Sequence, residues 1–345
     1  MVPVDFTFHP SWWNKNAGVS FNERFFNDPE YRIEADMHMR RVLFYRFGDL
    51  GFGEKAPKPR PILDSDFLAG EYLQSQIMGC GIQFSDKNLP YVECRNLSVD
   101  DIEKLDVPRL KDSKAWKAIH KQIEYMEKKY GYVESYIDLH GVQNLALDLR
   151  GTELFEDYYF NKDTANKVLE VSRRVIEKVA ASLRRKTQCI GIGVTSIVRH
   201  INREMYVTSN CTVEMISNKL YEEFLLKHDI KLSKKFKPFG IHHCGKTLEH
   251  IIEGYSKVPD LSFIEAGAFS DLEITRSHCA GIPINARYSP VKLHEASIEE
   301  IETDISKMAD KAKPLSLLSF SCVGIDSETD DKKIKAFVKA VRDLI

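Results

Sequence analysis

The chain has 345 residues, 43% hydrophobic and 29% charged, the proportions of a globular protein able to bury a sizeable core. Its 49 basic residues nearly balance 51 acidic ones, and the formal charge of −2 argues against a protein built to coat nucleic acid or an anionic membrane. No apolar run approaches the about 20 residues that span a bilayer, and the opening Met1-Val2-Pro3-Val4-Asp5 lacks the basic and apolar segments of a secretory signal, so a cytoplasmic protein is expected. The seven cysteines are odd in number and widely scattered, a pattern that does not suggest a disulfide framework.

In chain order, residues 2–8 (VPVDFTF) read as a first strand. Residues 51–63 follow as a surface excursion, because Pro57, Pro59 and Pro61 alternate with Lys58 and Arg60 and forbid a helix. Residues 132–139 (YVESYIDL) are strand-like. Residues 164–186 then carry Val168, Leu169, Val171, Val175, Ile176, Val179, Ala180 and Leu183 at helical spacing. A strand is expected over 190–197, a helix over 213–232, and short apolar strands at 239–242, 261–266, 282–286 and 315–320. Helices are expected over 298–312 and 332–344. Strand and helix alternating in this way predict a parallel sheet with helical crossovers. The number of units favours one domain over residues 1–345, a distorted α/β barrel of the (β/α)8 TIM type with N-terminal excursions. Gly191-Ile192-Gly193 lacks the third glycine of a dinucleotide loop and continues strand-like, which excludes that reading.

In such a barrel the chemistry sits where strands end. The first strand leads into His9, Trp12 and Trp13, an aromatic pair of which at least one member should line a pocket or an interface. Asp138 and His140 end the YVESYIDLH run, Asn210 and Cys211 precede a helix, and Arg287 ends IPINAR. Glu265 ends LSFIEAG. Asp138 and Glu265 are candidate acid or base groups, or hydrogen-bonding supports for a ligand histidine. Cys211 faces either substrate or metal, or is an inert thiol. His9, Trp12, Trp13, Asn210, Cys211 and Arg287 are the candidate substrate contacts.

The sharpest motif is His242-His243-Cys244-Gly245. Residues two apart on an extended strand point the same way, so the His242 imidazole and the Cys244 thiol can converge while His243 turns aside as a structural residue. Imidazole and thiolate suit Zn2+, and Cys322 at the end of another strand could add a third ligand, leaving one coordination position open as catalytic sites do. The same residues also read as small buried side chains packed together.

Three stretches carry a family resemblance: FGIHHCG at 239–245, SNCTVEMIS at 209–217 and SFSCVGIDSETDDKKIKAFVKAV at 319–341. LALDLRGTELFEDYYFNKD at 145–163 extends it. Together they resemble the uroporphyrinogen decarboxylase superfamily, specifically its zinc-dependent, corrinoid-linked methyltransferase branch. The resemblance implies a distorted barrel with zinc on His242, Cys244 and Cys322, while the strand ends offer Glu265, Asp138 and His140 as candidate catalytic groups. It also implies methyl transfer between a small methylated substrate, or a thiol or other acceptor, and the cobalt of a corrinoid (cobalamin) carried by a partner protein. The aromatic residues favour an aromatic methyl ether and hence demethylation. The decarboxylase itself is an alternative weakened by the absence of arginine before Arg24, where its polycarboxylate substrate would be held. A zinc-stabilised barrel that only binds a ligand is a non-enzymatic alternative. No nucleic-acid or membrane partner is expected, and the sequence is compatible with a homodimer.

Overall fold

Strands short enough to be read as apolar runs build one parallel sheet in the computed structural model, which describes residues 1–68, 70–187 and 204–344. Its order is β1 (Val4–Phe8), β10 (Leu318–Ile325), β9 (Ile284–Tyr288), β8 (Leu261–Ala266), β7 (Phe239–His242) and β6 (Tyr206–Ser209), every neighbouring pair parallel. Such ladders need crossovers, and helices such as Leu226–Lys235 and Ile298–Lys311 supply them. Ser297 and Glu300 form a capping box at the start of the latter, satisfying two backbone donors of the first turn.

Two further parallel strands, β2 (Ile62–Leu63) and β5 (Glu134–Ser135), pair with each other. A single parallel bridge, His140 to Ser209, ties the segment after β5 to β6. The described residues therefore give an α/β fold with a six-stranded parallel sheet and a two-stranded companion, and no ladder joins β1 to β2. The expected strand at 132–139 shrinks to two residues. Its partner β2 follows the proline-rich loop, where prolines lack donors, and stops before Asp64, held at φ 59°.

Other boundaries also shift. The helix expected over 213–232 breaks into a 3-10 turn at Cys211–Met215, a short helical turn at Asn218–Leu220, a π turn at Tyr221–Leu225 and an α-helix at Leu226–Lys235. The final strand begins at Leu318 rather than at 315, because Leu315–Leu317 close a 3-10 turn. The strand expected at 190–197 lies outside the described residues. In the N-terminal third the helices Pro29–Phe47 and Lys114–Tyr130 and an antiparallel hairpin, β3 (Gly81–Gln83) with β4 (Tyr91–Glu93), occupy the region of excursions.

One hydrophobic cluster runs from Val2 to Val341, including the apolar stripe of the helix Lys162–Lys186. A second, Ile62, Tyr136, Met205, Val207 and Phe263, lies among β2, β6, β8 and the segments beside them. None of the described helices is long and apolar enough to cross a membrane.

Candidate metal centre

Register places a row of polar side chains across the sheet. Ser209 pairs with His242, His242 with Glu265, Glu265 with Asn285, and Asn285 with Ser319. His140 joins the row by its bridge to Ser209. Side chains at one level of adjacent strands share a face, so residues far apart in sequence become neighbours near the C-terminal ends of β6, β7 and β8.

Two close backbone approaches pin the loops beyond this row. A Cβ on Gly267 would lie 1.9 Å from the Gly245 carbonyl oxygen, and one on Gly141 would lie 2.0 Å from the Ser209 carbonyl oxygen. Only glycine allows either approach. The Asn210 amide donates to the His242 carbonyl at 2.8 Å, which carries the following residue, Cys211, toward β7.

The outcome is a cluster in which one ligand atom each from Cys211, His242 and Cys244 lies within 4.8 Å of the others. His242 Nδ1 sits 2.6 Å from Glu265 Oε2, and both side chains are buried. That contact directs the other ring nitrogen toward the thiols, the orientation a carboxylate gives to metal-ligating imidazole. Burial alone would lower the His242 pKa, but Glu265 and Cys244 together raise it to about 10. Glu265 is held below its ordinary range by His242 despite burial.

The two thiols divide a proton unequally. The hydrogen bond donated by Cys211 holds Cys244 well below a normal thiol against the effect of burial, with the positive charges of His242 and Arg287 assisting. The same bond, with burial, holds Cys211 well above. Two converging thiols, one of them drawn below its ordinary pKa, beside an oriented imidazole are a donor set that zinc favours, so the residues fit that ion.

Cys322 does not join the cluster. It is fully buried on β10, in register with Phe6 and Tyr288, and the Tyr288 ring stacks on Phe337 of the helix Asp331–Arg342. Ser319 and Ser321 are the β10 residues hydrogen-bonded to Asn285 of the polar row, so strand alternation sends Cys322 to the opposite face. Burial pushes its thiol pKa up, with only partial opposition from Arg287. The close group in the structure holds Cys211 where the sequence reading expected Cys322.

Arg287 lies beyond Asn285 on β9, its Nε 3.7 Å from Glu265 Oε1, while its Nη1 is buried without a partner. Asp138 accepts from the Gly70 amide at 2.8 Å through Oδ2, and its Oδ1 is buried and unpartnered. Burial, then the neighbouring Glu71, raise the Asp138 pKa well above the carboxylate range. Glu71 is a site residue that sequence reading missed, since it belongs to no motif. It accepts from Asn144 at 3.0 Å and from the Ser209 side chain, and its pKa is raised mainly by burial.

His140 is engaged structurally. Its Nε2 lies 3.0 Å from both Ser75 Oγ and Asp148 Oδ2, and its Nδ1 lies 3.1 Å from Gln74 Oε1. Asn210 donates to Asp229 at 2.8 Å, as does the Tyr221 hydroxyl, which the π turn positions. His243 turns away as alternation predicts, bonded to the Tyr255 hydroxyl and the Thr247 carbonyl.

The first strand's end differs from its expectation. His9 accepts from the Ser11 amide and caps the helix Pro10–Ala17. Trp12 and Trp13 are both 1% exposed, so neither presents an exposed aromatic surface. Trp12 stacks on Phe8 with centroids 3.6 Å apart, and Trp13 meets the Phe8 ring edge-on at 5.4 Å. The helix crosses β1 closely enough for one phenylalanine to pack against both indoles.

Among solved structures, a methyltransferase from Methanosarcina mazei is similar at 15% identity and a TM-score of 0.67, the match covering 99% of this chain and 94% of that one. A B12-independent methionine synthase from Shewanella sp. W3-18-1 in complex with selenomethionine is similar at 10% identity and a TM-score of 0.45, covering 99% of this chain and 96% of that one. No curated protein sequence matches the chain. The family model for uroporphyrinogen decarboxylase (URO-D) matches residues 70–344, which contain the whole polar row and all of the cysteine–histidine cluster, and the chain belongs to that family.

Proposed function

We propose that the protein is a zinc-dependent methyltransferase of the URO-D family. In this reading it moves a methyl group between a small methylated substrate, an aromatic methyl ether in the favoured case, and the cobalt of a separate corrinoid protein. The observation that carries the reading is the Cys211–His242–Cys244 cluster, with Glu265 fixing the imidazole, on a fold shared with a methyltransferase from Methanosarcina mazei. We read residues 1–345 as one distorted (β/α)8 barrel, working in the cytoplasm.

Cys211, His242 and Cys244 would hold the zinc, and the bound ion would supply Lewis acidity toward the substrate's leaving atom. The group has three protein donors among the described residues, which favours a catalytic arrangement over the four-ligand structural one. Glu265 holds the proton at His242 Nδ1. Arg287 offers its unpartnered Nη1 to the substrate. Asp138, whose pKa burial and Glu71 raise, presents its unpartnered Oδ1 as the candidate proton donor to the leaving oxygen. Asn210 sets the start of the Cys211 turn through Asp229, and His140 supports the β5 end. His9, Trp12 and Trp13 pack the first crossover.

Zinc content of the wild type is to be compared with His242→Ala, Cys211→Ser and Cys322→Ser. The first two should lose most of the metal, and Cys322→Ser should keep it. Equal zinc in all four proteins would remove the site. Methylation of a reduced corrinoid protein, followed by its cobalt absorption spectrum, then tests the activity. Unmethylated cobalt would leave a ligand-binding barrel, and decarboxylation of uroporphyrinogen would restore the family's namesake reaction.

A further inference from the structure

The hairpin β3–β4 carries a second thiol pair, away from the metal centre. Its antiparallel register sets Gly81 against Glu93, Ile82 against Val92 and Gln83 against Tyr91. Continued one step beyond the ladder toward the hairpin base, the same register would set Cys80 opposite Cys94. Directly opposed antiparallel residues share a face and have Cα atoms about 4.5 to 5.5 Å apart. A disulfide needs about 4.4 to 6.8 Å.

The side chains agree with the register. Cys80 Sγ donates to the Asp148 carbonyl at 3.5 Å and Cys94 Sγ to the Leu147 carbonyl at 3.3 Å. Both thiols therefore turn to consecutive carbonyls at the end of one helix, Val142–Arg150. They are also near enough to interact electrostatically. Cys94 is exposed and Cys80 is buried behind it, an accessible thiol with a second one in reach.

We propose that Cys80 and Cys94 form a reversible disulfide, a redox modification site at the base of the hairpin. With a small disulfide such as oxidised glutathione, the Cys94 thiolate attacks one sulfur and releases one glutathione thiol, leaving a mixed disulfide. Cys80, losing its proton, attacks Cys94 Sγ, closes the protein bridge and releases the second glutathione. Two protein thiols are oxidised, one glutathione disulfide is reduced, and the two protons end on the two glutathione thiols. Burial holds the Cys80 thiol up at about 12, so the exchange speeds up as pH rises. Closing the bridge releases both sulfurs from the helix whose Asp148 side chain contacts His140 and Ser75.

The test uses the full-length protein, incubated with oxidised glutathione, quenched with iodoacetamide, and digested without reductant for mass spectrometry. The expected product is one linked species holding the Cys80 and Cys94 peptides, lighter by two hydrogen atoms than the sum of the two thiol forms, and split again by dithiothreitol. Cys94→Ser should leave Cys80 fully alkylated. Cys80→Ser should stop at a Cys94–glutathione mixed disulfide. The proposal is overturned if wild-type Cys94 also stops at that stage, if either thiol links to another cysteine or another chain, or if both remain fully alkylated. The wild-type map reads the bond directly and depends on neither variant folding nor on the proposed methyl transfer.

Discussion

Replacing Glu265 by glutamine removes a carboxylate charge from beside His242 while nearly preserving shape. The contact is 2.6 Å long, with Glu265 1% and His242 2% exposed, so little solvent screens it. Loss of a carboxylate that orients a ligand imidazole typically weakens metal binding about 10- to 100-fold, or about 1.4 to 2.7 kcal/mol. Burial places Glu265→Gln toward the upper end. Zinc affinity is measured by competition with a chromophoric chelator at pH 7, wild type beside variant. Metal-free protein provides a second reading. With Glu265 and Cys244 present, the folded His242 pKa of about 10 lies above its ordinary 6.5. The linked stability is therefore full below about 6.5 and lost as pH rises toward about 10. The variant should lose part of that stability, and the difference from wild type should shrink through this window. Unchanged zinc affinity in Glu265→Gln would refute the reasoning, because the carboxylate would then not be orienting a ligand.

Three more outcomes are expected. Gly267→Ala should displace the loop at Gly245, whose carbonyl lies 1.9 Å from the added carbon, and lower zinc content as well as the melting temperature; a wild-type zinc content would separate that loop from the metal centre. Arg32→Met should cost about 3 to 5 kcal/mol in urea unfolding, because the buried guanidinium serves the carbonyls of Phe25, Phe26 and Ile62 and the Gln122 side-chain oxygen, and of these Phe26 alone keeps another donor, Gln122 Nε2. A loss below about 1 kcal/mol would contradict that role. Glu170, drawn down to about 2 against burial by Arg173 and Lys231, lends stability above about pH 4.5 that disappears as pH falls toward 2. Glu170→Gln should flatten that acid limb by about 1 kcal/mol at most, since the Glu170 side chain is 38% exposed and Lys231 50% exposed, and solvent screens the interaction even though Arg173 is buried.

Much of the architecture was legible because it is local. The helix Lys162–Lys186 shows its apolar stripe residue by residue, and β7 and β8 occupy the expected spans 239–242 and 261–266. The pairing of His242 with Cys244 followed from strand geometry over three residues. The π turn at Tyr221–Leu225 was not legible, because its apolar residues fit an ordinary helix. Nor was the packing of both tryptophans, which depends on where Phe8 lies beneath the crossing helix.

By itself the sequence determined that the protein alternates strand and helix and that an imidazole and a thiol converge beyond β7. Which cysteine completes the group was decided only by tertiary structure. Cys211 precedes a helix and Cys322 ends an apolar run, and neither position shows along the chain which of them meets His242. The β6–β7 register brings Cys211 beside His242, while one step of alternation on β10 turns Cys322 to the other face. The same is true of Glu71, Arg287 and the Cys80–Cys94 pair. Their neighbours are set by strand register and loop approach, quantities that depend on contacts between segments dozens of residues apart, which no local pattern encodes.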